Sequence, residues 1–104
     1  MRKIYITHPF RGKTGSPEEV KRNIESVTRI CRQISQENMD ALIMSPVHAF
    51  SFMTAEDPQD WVLKQCVEML KSCDEVWVFG DWRNSEGCLM EISAAKEAGI
   101  PVVF

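Results

Sequence analysis

In Glu75-Val76-Trp77-Val78-Phe79-Gly80 an unbroken apolar run, Val76 to Phe79, is opened by a glutamate and closed by a glycine. A polar loop follows, then a helical pattern from about Gly87 to Ala98, then Gly99-Ile100-Pro101 and a second apolar run, Val102-Val103-Phe104. A strand, a helix and a strand in that order call for a parallel crossover. The cores of both runs are fully apolar, as in parallel strands covered on two faces. Gly99 sits where a C-cap glycine ends the helix.

The same alternation extends upstream. Lys3 to Thr7 is a short β-rich run, and Pro9, Gly12, Gly15 and Pro17 mark the loop after it. Ser16 is a helix N-cap with Pro17 at the first helical position and Glu19 three residues on, a capping box. The helix behind it carries Val20, Ile24, Val27, Cys31 and Ile34 on one stripe, with Glu18, Lys21, Arg22, Glu25, Arg29 and Arg32 opposite. Ala41 to Ser45 is a second strand, closed by Pro46. Residues 46–59 read as a long loop with a helical turn through Ala49-Phe50. Pro58 then opens a helix with Val62, Cys66, Met69, Leu70 and Cys73 on one face. The order β-α-β-α-β-α-β predicts an α/β fold: a flavodoxin-like or Rossmann-like three-layer sandwich with a four-stranded parallel sheet and helices on both faces.

Composition agrees. The chain has 104 residues, 44% apolar and 26% charged, which predicts one globular domain over residues 1–104. The charge sum of 12 − 15 = −3 argues against a nucleic-acid partner, because phosphate backbones need a basic face. No stretch approaches a membrane span or a signal-peptide core, so a cytoplasmic, non-membrane protein is expected. The four cysteines form no C-x-x-C pair and no zinc spacing, which predicts buried reduced thiols and no metal.

In open α/β sheets ligands sit at the carboxyl ends of the strands, beside the switch point. Those ends are His8-Pro9-Phe10-Arg11-Gly12, Ser45-Pro46-Val47-His48 and Gly80 to Gly87. The last helix begins at Ser85-Glu86-Gly87, and free amides at such a start favour an anion. The bland reading of the same residues is a turn and a cap.

Two motifs carry a family resemblance over nearly the whole chain. Ser85-Glu86-Gly87-Cys88-Leu89-Met90-Glu91-Ile92-Ser93-Ala94-Ala95, with Gly99-Ile100-Pro101-Val102-Val103, resembles the signature of the nucleoside 2-deoxyribosyltransferase superfamily. Tyr5-Ile6-Thr7-His8-Pro9-Phe10-Arg11-Gly12 resembles the first strand and loop of its 2'-deoxynucleoside 5'-phosphate N-hydrolase branch. The segment from Cys73 to Gly80, with Pro9-Phe10-Arg11-Gly12, is similar to small phage and bacterial proteins of unknown function.

The resemblance implies Glu91 as the nucleophile at the sugar C1', with Tyr5 beside it as the second catalytic residue. It implies Ser85 as a holder of the 5'-phosphate, and Arg11 and Gly12 as pocket lining. His8, Pro9, Phe10, Asp81, Trp82, Asn84 and Gly87 complete the expected substrate-binding set, with Trp82 as a stacking surface for a base. The implied ligand is a small nucleotide or nucleoside, with no cofactor; exposed edges on so small a sheet and helices rich in small residues predict a homodimer.

Two positions depart from the family. Counting back from Asp74 to the family's second carboxylate, which assists the leaving base, lands on Cys66, an apolar-stripe position. His8 stands where the hydrolase branch has a glycine. Asp57, Asp60, His48, Asp81 and His8 are the candidate replacement acids. Two functions follow as expectations: a nucleotide N-glycosidase or deoxyribosyltransferase-like enzyme, or a module that binds a nucleotide or ADP-ribose-type ligand without turnover. A structural subunit with a vestigial site is the third reading.

Overall fold

A computed structural model of the protein describes residues 1–54 and 56–104. Its elements are β1 (Arg2–Thr7), α1 (Pro17–Glu37), β2 (Ala41–Met44), α2 (Pro46–Ala49), α3 (Gln59–Lys71), β3 (Glu75–Val78), α4 (Glu86–Glu97) and β4 (Val102–Val103). A single 3-10 turn, Trp82–Asn84, lies before α4.

The four strands run parallel in the order β2-β1-β3-β4. The chain leaves β1 for β2 on one side and then crosses back over β1 to reach β3. The switch point therefore lies between the carboxyl ends of β1 and β3, where adjacent connections diverge to opposite faces.

Period-two alternation sends neighbouring residues of β1 to opposite layers. Ile4 and Ile6 pack with Val27 and Ile34 of α1, and the apolar side of β2 joins them through Ile43. Tyr5 points the other way, with Val76, Val78, Leu70, Cys66 and Ile92, against α3 and α4. Ile4, Tyr5, Ile6 and Thr7 are all fully buried. The three-layer sandwich is thus α1 on one face and α3 with α4 on the other.

The α1 stripe is buried only along part of its length. Val27 and Ile34 are enclosed, whereas Ile24 remains 37% exposed because it borders an open cavity beyond the strand ends. At the start of α1 half of the capping box forms. The Ser16 hydroxyl accepts from the Glu19 amide at 3.1 Å. The Glu19 carboxylate turns instead to the preceding loop, accepting from the Lys13 and Thr14 amides and the Thr14 hydroxyl.

The turn expected through Ala49-Phe50 forms earlier, over Pro46–Ala49. Pro46 supplies a fixed φ at the first helical position, and Ser45 ends up outside β2 as the residue that precedes the helix. Other boundaries fall within a residue of expectation. Among the described residues no helix is long and apolar enough to cross a membrane.

Candidate active site

Beyond the carboxyl ends of β1 and β3 lies a cavity of about 750 Å3. That is within the roughly 300–1,000 Å3 range of small-molecule sites. It is built by the loop after β1 (His8, Phe10 to Lys13), Ile24 of α1, α2 and the loop after it, one edge of α3, and Asn84 with the first turns of α4.

Close approach of the β1 and β3 loops depends on Gly80. Its φ is +75°, and an added Cβ would lie 2.9 Å from Pro9 Cδ and 3.3 Å from His8 Nε2. Gly12 has the same requirement at φ +69°, because the Glu19 carboxylate occupies the space a Cβ would take. Glu19 thereby fixes the loop that carries Arg11 and Lys13. The Thr14 hydroxyl and the two amides hold its carboxyl below the usual range.

Glu91 lies on the cavity wall, one turn into α4, and is buried. The Tyr5 hydroxyl donates to Glu91 Oε2 at 2.7 Å. Burial pushes the Glu91 carboxyl up to about 7, while hydrogen bonding from Tyr5, Thr7 and Cys66 pulls the other way. Tyr5 is pushed well above its ordinary value by burial and then by the Glu91 charge. Its hydroxyl therefore remains a proton donor to the carboxylate.

Ser85 is the N-cap of α4, and its oxygen accepts from the Cys88 amide at 3.2 Å. The first-turn amides of α4 have no carbonyl one turn back to meet, so they point outward as donors.

Two thiols lie close to the carboxylate. Cys66 meets both Tyr5 and Glu91, and burial pushes it up to about 12. Cys88 reaches about 12 for the same reason, with Glu91 adding to the rise and Ser85 offsetting it. Both are proton-bearing thiols at neutral pH.

Comparison with known proteins fits this geometry. A family model described as a domain of unknown function (DUF7768) matches residues 2–104. The chain belongs to that family.

Two solved structures share the fold. One is a 2-deoxyribosyltransferase from the psychrotolerant bacterium Bacillus psychrosaccharolyticus, at 21% identity and a TM-score of 0.67. The match covers 96% of this chain and 69% of that one. The other is a 2-desoxiribosyltransferase from Leishmania mexicana, at 17% identity and a TM-score of 0.62, covering 98% of this chain and 62% of that one. No curated protein matches the sequence. The DUF7768 chain therefore has the deoxyribosyltransferase fold over most of its own length and spans about two thirds of these relatives.

The structure brings His8, Phe10, Arg11, Gly12, Asn84, Ser85, Gly87 and Glu91 to one cavity, and Tyr5 joins them through Glu91. Pro9, Asp81 and Trp82 stand outside its lining. Pro9 packs on Gly80. Asp81 accepts from Asn84 Nδ2 at 2.9 Å on both oxygens and faces Lys13 Nζ at 4.0 Å. Trp82, expected to stack on a base, instead lies against Phe104, with ring centroids 4.9 Å apart, and under the Arg83 guanidinium at 4.5 Å. Its indole is covered by its own chain.

Cys66, Val47, His48, Phe50, Met53 and Cys88 line the cavity without having been singled out as binding residues. Val47 and His48 lay at a strand end that the switch-point rule marks. Cys66 was marked only by the resemblance, as the position of the family's second carboxylate, because a helix stripe reports which residues face inward and not which of them meets a carboxylate.

Proposed function

We propose that the DUF7768 chain cleaves the N-glycosidic bond of nucleoside 5'-monophosphates, by hydrolysis or deoxyribosyl transfer, with Glu91 as nucleophile. The observation that carries this reading is the 2.7 Å hydrogen bond from Tyr5 to a buried carboxylate inside a nucleotide-sized cavity. A Glu91 oxygen attacks the sugar C1', the bond to the base breaks, and a glycosyl ester forms. Water, or a second base, then attacks C1' and releases the carboxylate. The ester route splits one displacement into two easier ones.

The Ser85 hydroxyl and the first-turn amides of α4 suit a 5'-phosphate, with Arg11 as the cationic partner. The fold likeness to 2-deoxyribosyltransferases supports a nucleoside-type ligand. Only the ionised carboxylate is nucleophilic, so the rate rises with pH through about 7, where Glu91 loses its proton.

The test is base release from a panel of ribo- and deoxyribonucleoside monophosphates, followed by chromatography. Glu91→Gln preserves shape and removes the nucleophile, and the expected loss is on the order of 10³-fold or more. Full activity in that variant overturns the role of Glu91.

A second reading has one observation in its favour. Cys66, a thiol that stays protonated to about 12, stands where a leaving-group acid belongs in the related fold. On that reading the cavity binds a nucleotide or ADP-ribose-type ligand intact. Thermal stabilisation by a nucleotide recovered unchanged supports it.

A further inference from the structure

Proton donors around the cavity are already engaged. His8 donates from Nδ1 to the Pro9 carbonyl at 2.7 Å and meets the Ser26 hydroxyl through Nε2 at 3.0 Å. His48 contacts the Ser45 hydroxyl through Nδ1 at 2.6 Å and Thr28 Oγ1 through Nε2 at 2.8 Å. Thr28 gives its own proton to the Ile24 carbonyl at 2.7 Å, so His48 Nε2 is the donor in that pair. Both imidazoles are therefore held on both ring nitrogens. Tyr5 donates to Glu91. Lys13 faces Asp81, and Asp81 itself lies outside the cavity lining. Asp57 accepts from the Thr54 amide at 2.7 Å and, like Asp60, does not reach the lining. Of the two glutamates that line the cavity, Glu91 is the nucleophile and Glu86 is exposed at the start of α4. The two buried thiols of the lining are engaged as well, Cys66 with Tyr5 and Glu91 and Cys88 with Ser85, and burial pushes both up to about 12, which makes them poor acids. Among the described residues, no buried group of the lining therefore presents an unengaged acid proton to a departing base.

A neutral base leaving without a proton leaves as an anion, against a buried carboxylate. A heterocycle that is already cationic needs no proton. The bonding pair of the glycosidic bond moves onto the ring and the base departs neutral. The rest of the cavity suits such a ring. Phe10, Phe50, Val47 and Met53 supply apolar and aromatic surface. Cations gain from aromatic faces and from a carboxylate with only neutral donors around it.

Building on the glutamate-nucleophile reading, we propose that the preferred substrates are N-glycosides of cationic heterocycles, a pyridinium or an N7-alkylated purine, carried on a sugar 5'-phosphate. In the first step the Glu91 oxygen bonds to C1' and the carbon–nitrogen pair neutralises the ring. In the second, a water oxygen bonds to C1', the ester oxygen returns to Glu91, and the water proton passes to solvent. No redox change and no co-reactant other than water enter.

The decisive comparison is 7-methylguanosine 5'-monophosphate against guanosine 5'-monophosphate, each in the ribo and 2'-deoxy series, with nicotinamide mononucleotide as the pyridinium arm. Methylation at N7 fixes in place the charge that a general acid would supply by protonating N7. An enzyme with that acid treats guanine well and gains nothing from the methyl group. Without it, the cationic substrate should win in kcat/KM by about the 10²–10⁴-fold that a general acid contributes, and the alkaline limb that a titrating acid produces should be missing. The purine and pyridinium arms then identify which cation the cavity takes. Turnover of guanosine monophosphate within tenfold of its methylated form overturns this proposal and leaves Glu91 as nucleophile intact. No cleavage of any substrate, with ligands that bind and are recovered whole, overturns both.

Discussion

Neighbouring residues of β1 serve opposite ends. Ile4 and Ile6 face α1 and pack with Val27 and Ile34 in an apolar cluster. Tyr5 and Thr7, one residue along, face α4 and bring two hydroxyls to a carboxylate. All four are fully buried, so burial alone does not separate the layers. The α1 layer gains stability from every atom it encloses. The α4 layer encloses a group that resists enclosure and keeps it with neutral donors. A single strand thus divides the molecule into a packing face and a reactive face, and the comparison can be broken from either side.

The largest effect is expected on the packing face. Ile6→Ala removes fully buried methyl groups between β1 and α1 and should cost about 2–5 kcal/mol in a denaturant titration. The loss should be nearly the same at pH 5 and pH 8, because the side chains packed around Ile6 (Ile4, Val27 and Ile34) carry no charge. A pH-dependent loss would mean that the two faces are not independent.

That division also marks how far the sequence could be read. The α1 stripe and the apolar runs of β3 and β4 announced the sandwich, because periodicity follows directly from which side of an element is wet. Tyr5 and Glu91 were visible only through the family's motifs, since a tyrosine in a strand and a glutamate in a helix have ordinary uses. Trp82 illustrates the limit. An aromatic residue at a strand end suits a base, yet Phe104 and Arg83 cover it, and no local pattern in the sequence reports that contact. Cys66 is the converse. It obeys the apolar stripe and still delivers its sulfur to the carboxylate, because a stripe fixes direction and leaves the opposite wall unspecified.

On the reactive face the sign reverses. Glu91 titrates near 7 in the folded chain and near its ordinary 4.5 when unfolded. Below about 4.5 both states are protonated and the group costs nothing. Between 4.5 and 7 the unfolded chain ionises first, so the stability that depends on a protonated Glu91 is lost as pH rises. Glu91→Gln keeps a hydrogen-bonding side chain without the charge. At pH 8 it should raise stability by up to about 3 kcal/mol, an increase of several degrees or more in the melting temperature of so small a domain. At pH 4 the gain should vanish. A variant no more stable than the parent at pH 8 would show that the charge is well accommodated and that the reactive face is not under tension.

The smallest of these effects isolates the donor itself. Tyr5→Phe removes one oxygen and leaves the ring against Val76 and Leu70, so packing is nearly preserved. The lost bond matters according to the charge on Glu91. At pH 8 the hydroxyl serves a carboxylate, and its removal should cost about 1.5–3 kcal/mol, against about 0.5–1.5 kcal/mol at pH 5 where the partner is a neutral acid. That makes the pH sensitivity of Tyr5→Phe opposite in sign to that of Glu91→Gln. Because the hydroxyl stabilises the ionised form, its loss moves the Glu91 titration upward from about 7, and the acid limb of the rate profile should move with it. An unmoved limb would mean that Thr7 and Cys66 suffice to hold the carboxylate. Tyr5 would then belong with Ile4 and Ile6 as packing, and the strand's alternation would no longer separate structure from chemistry.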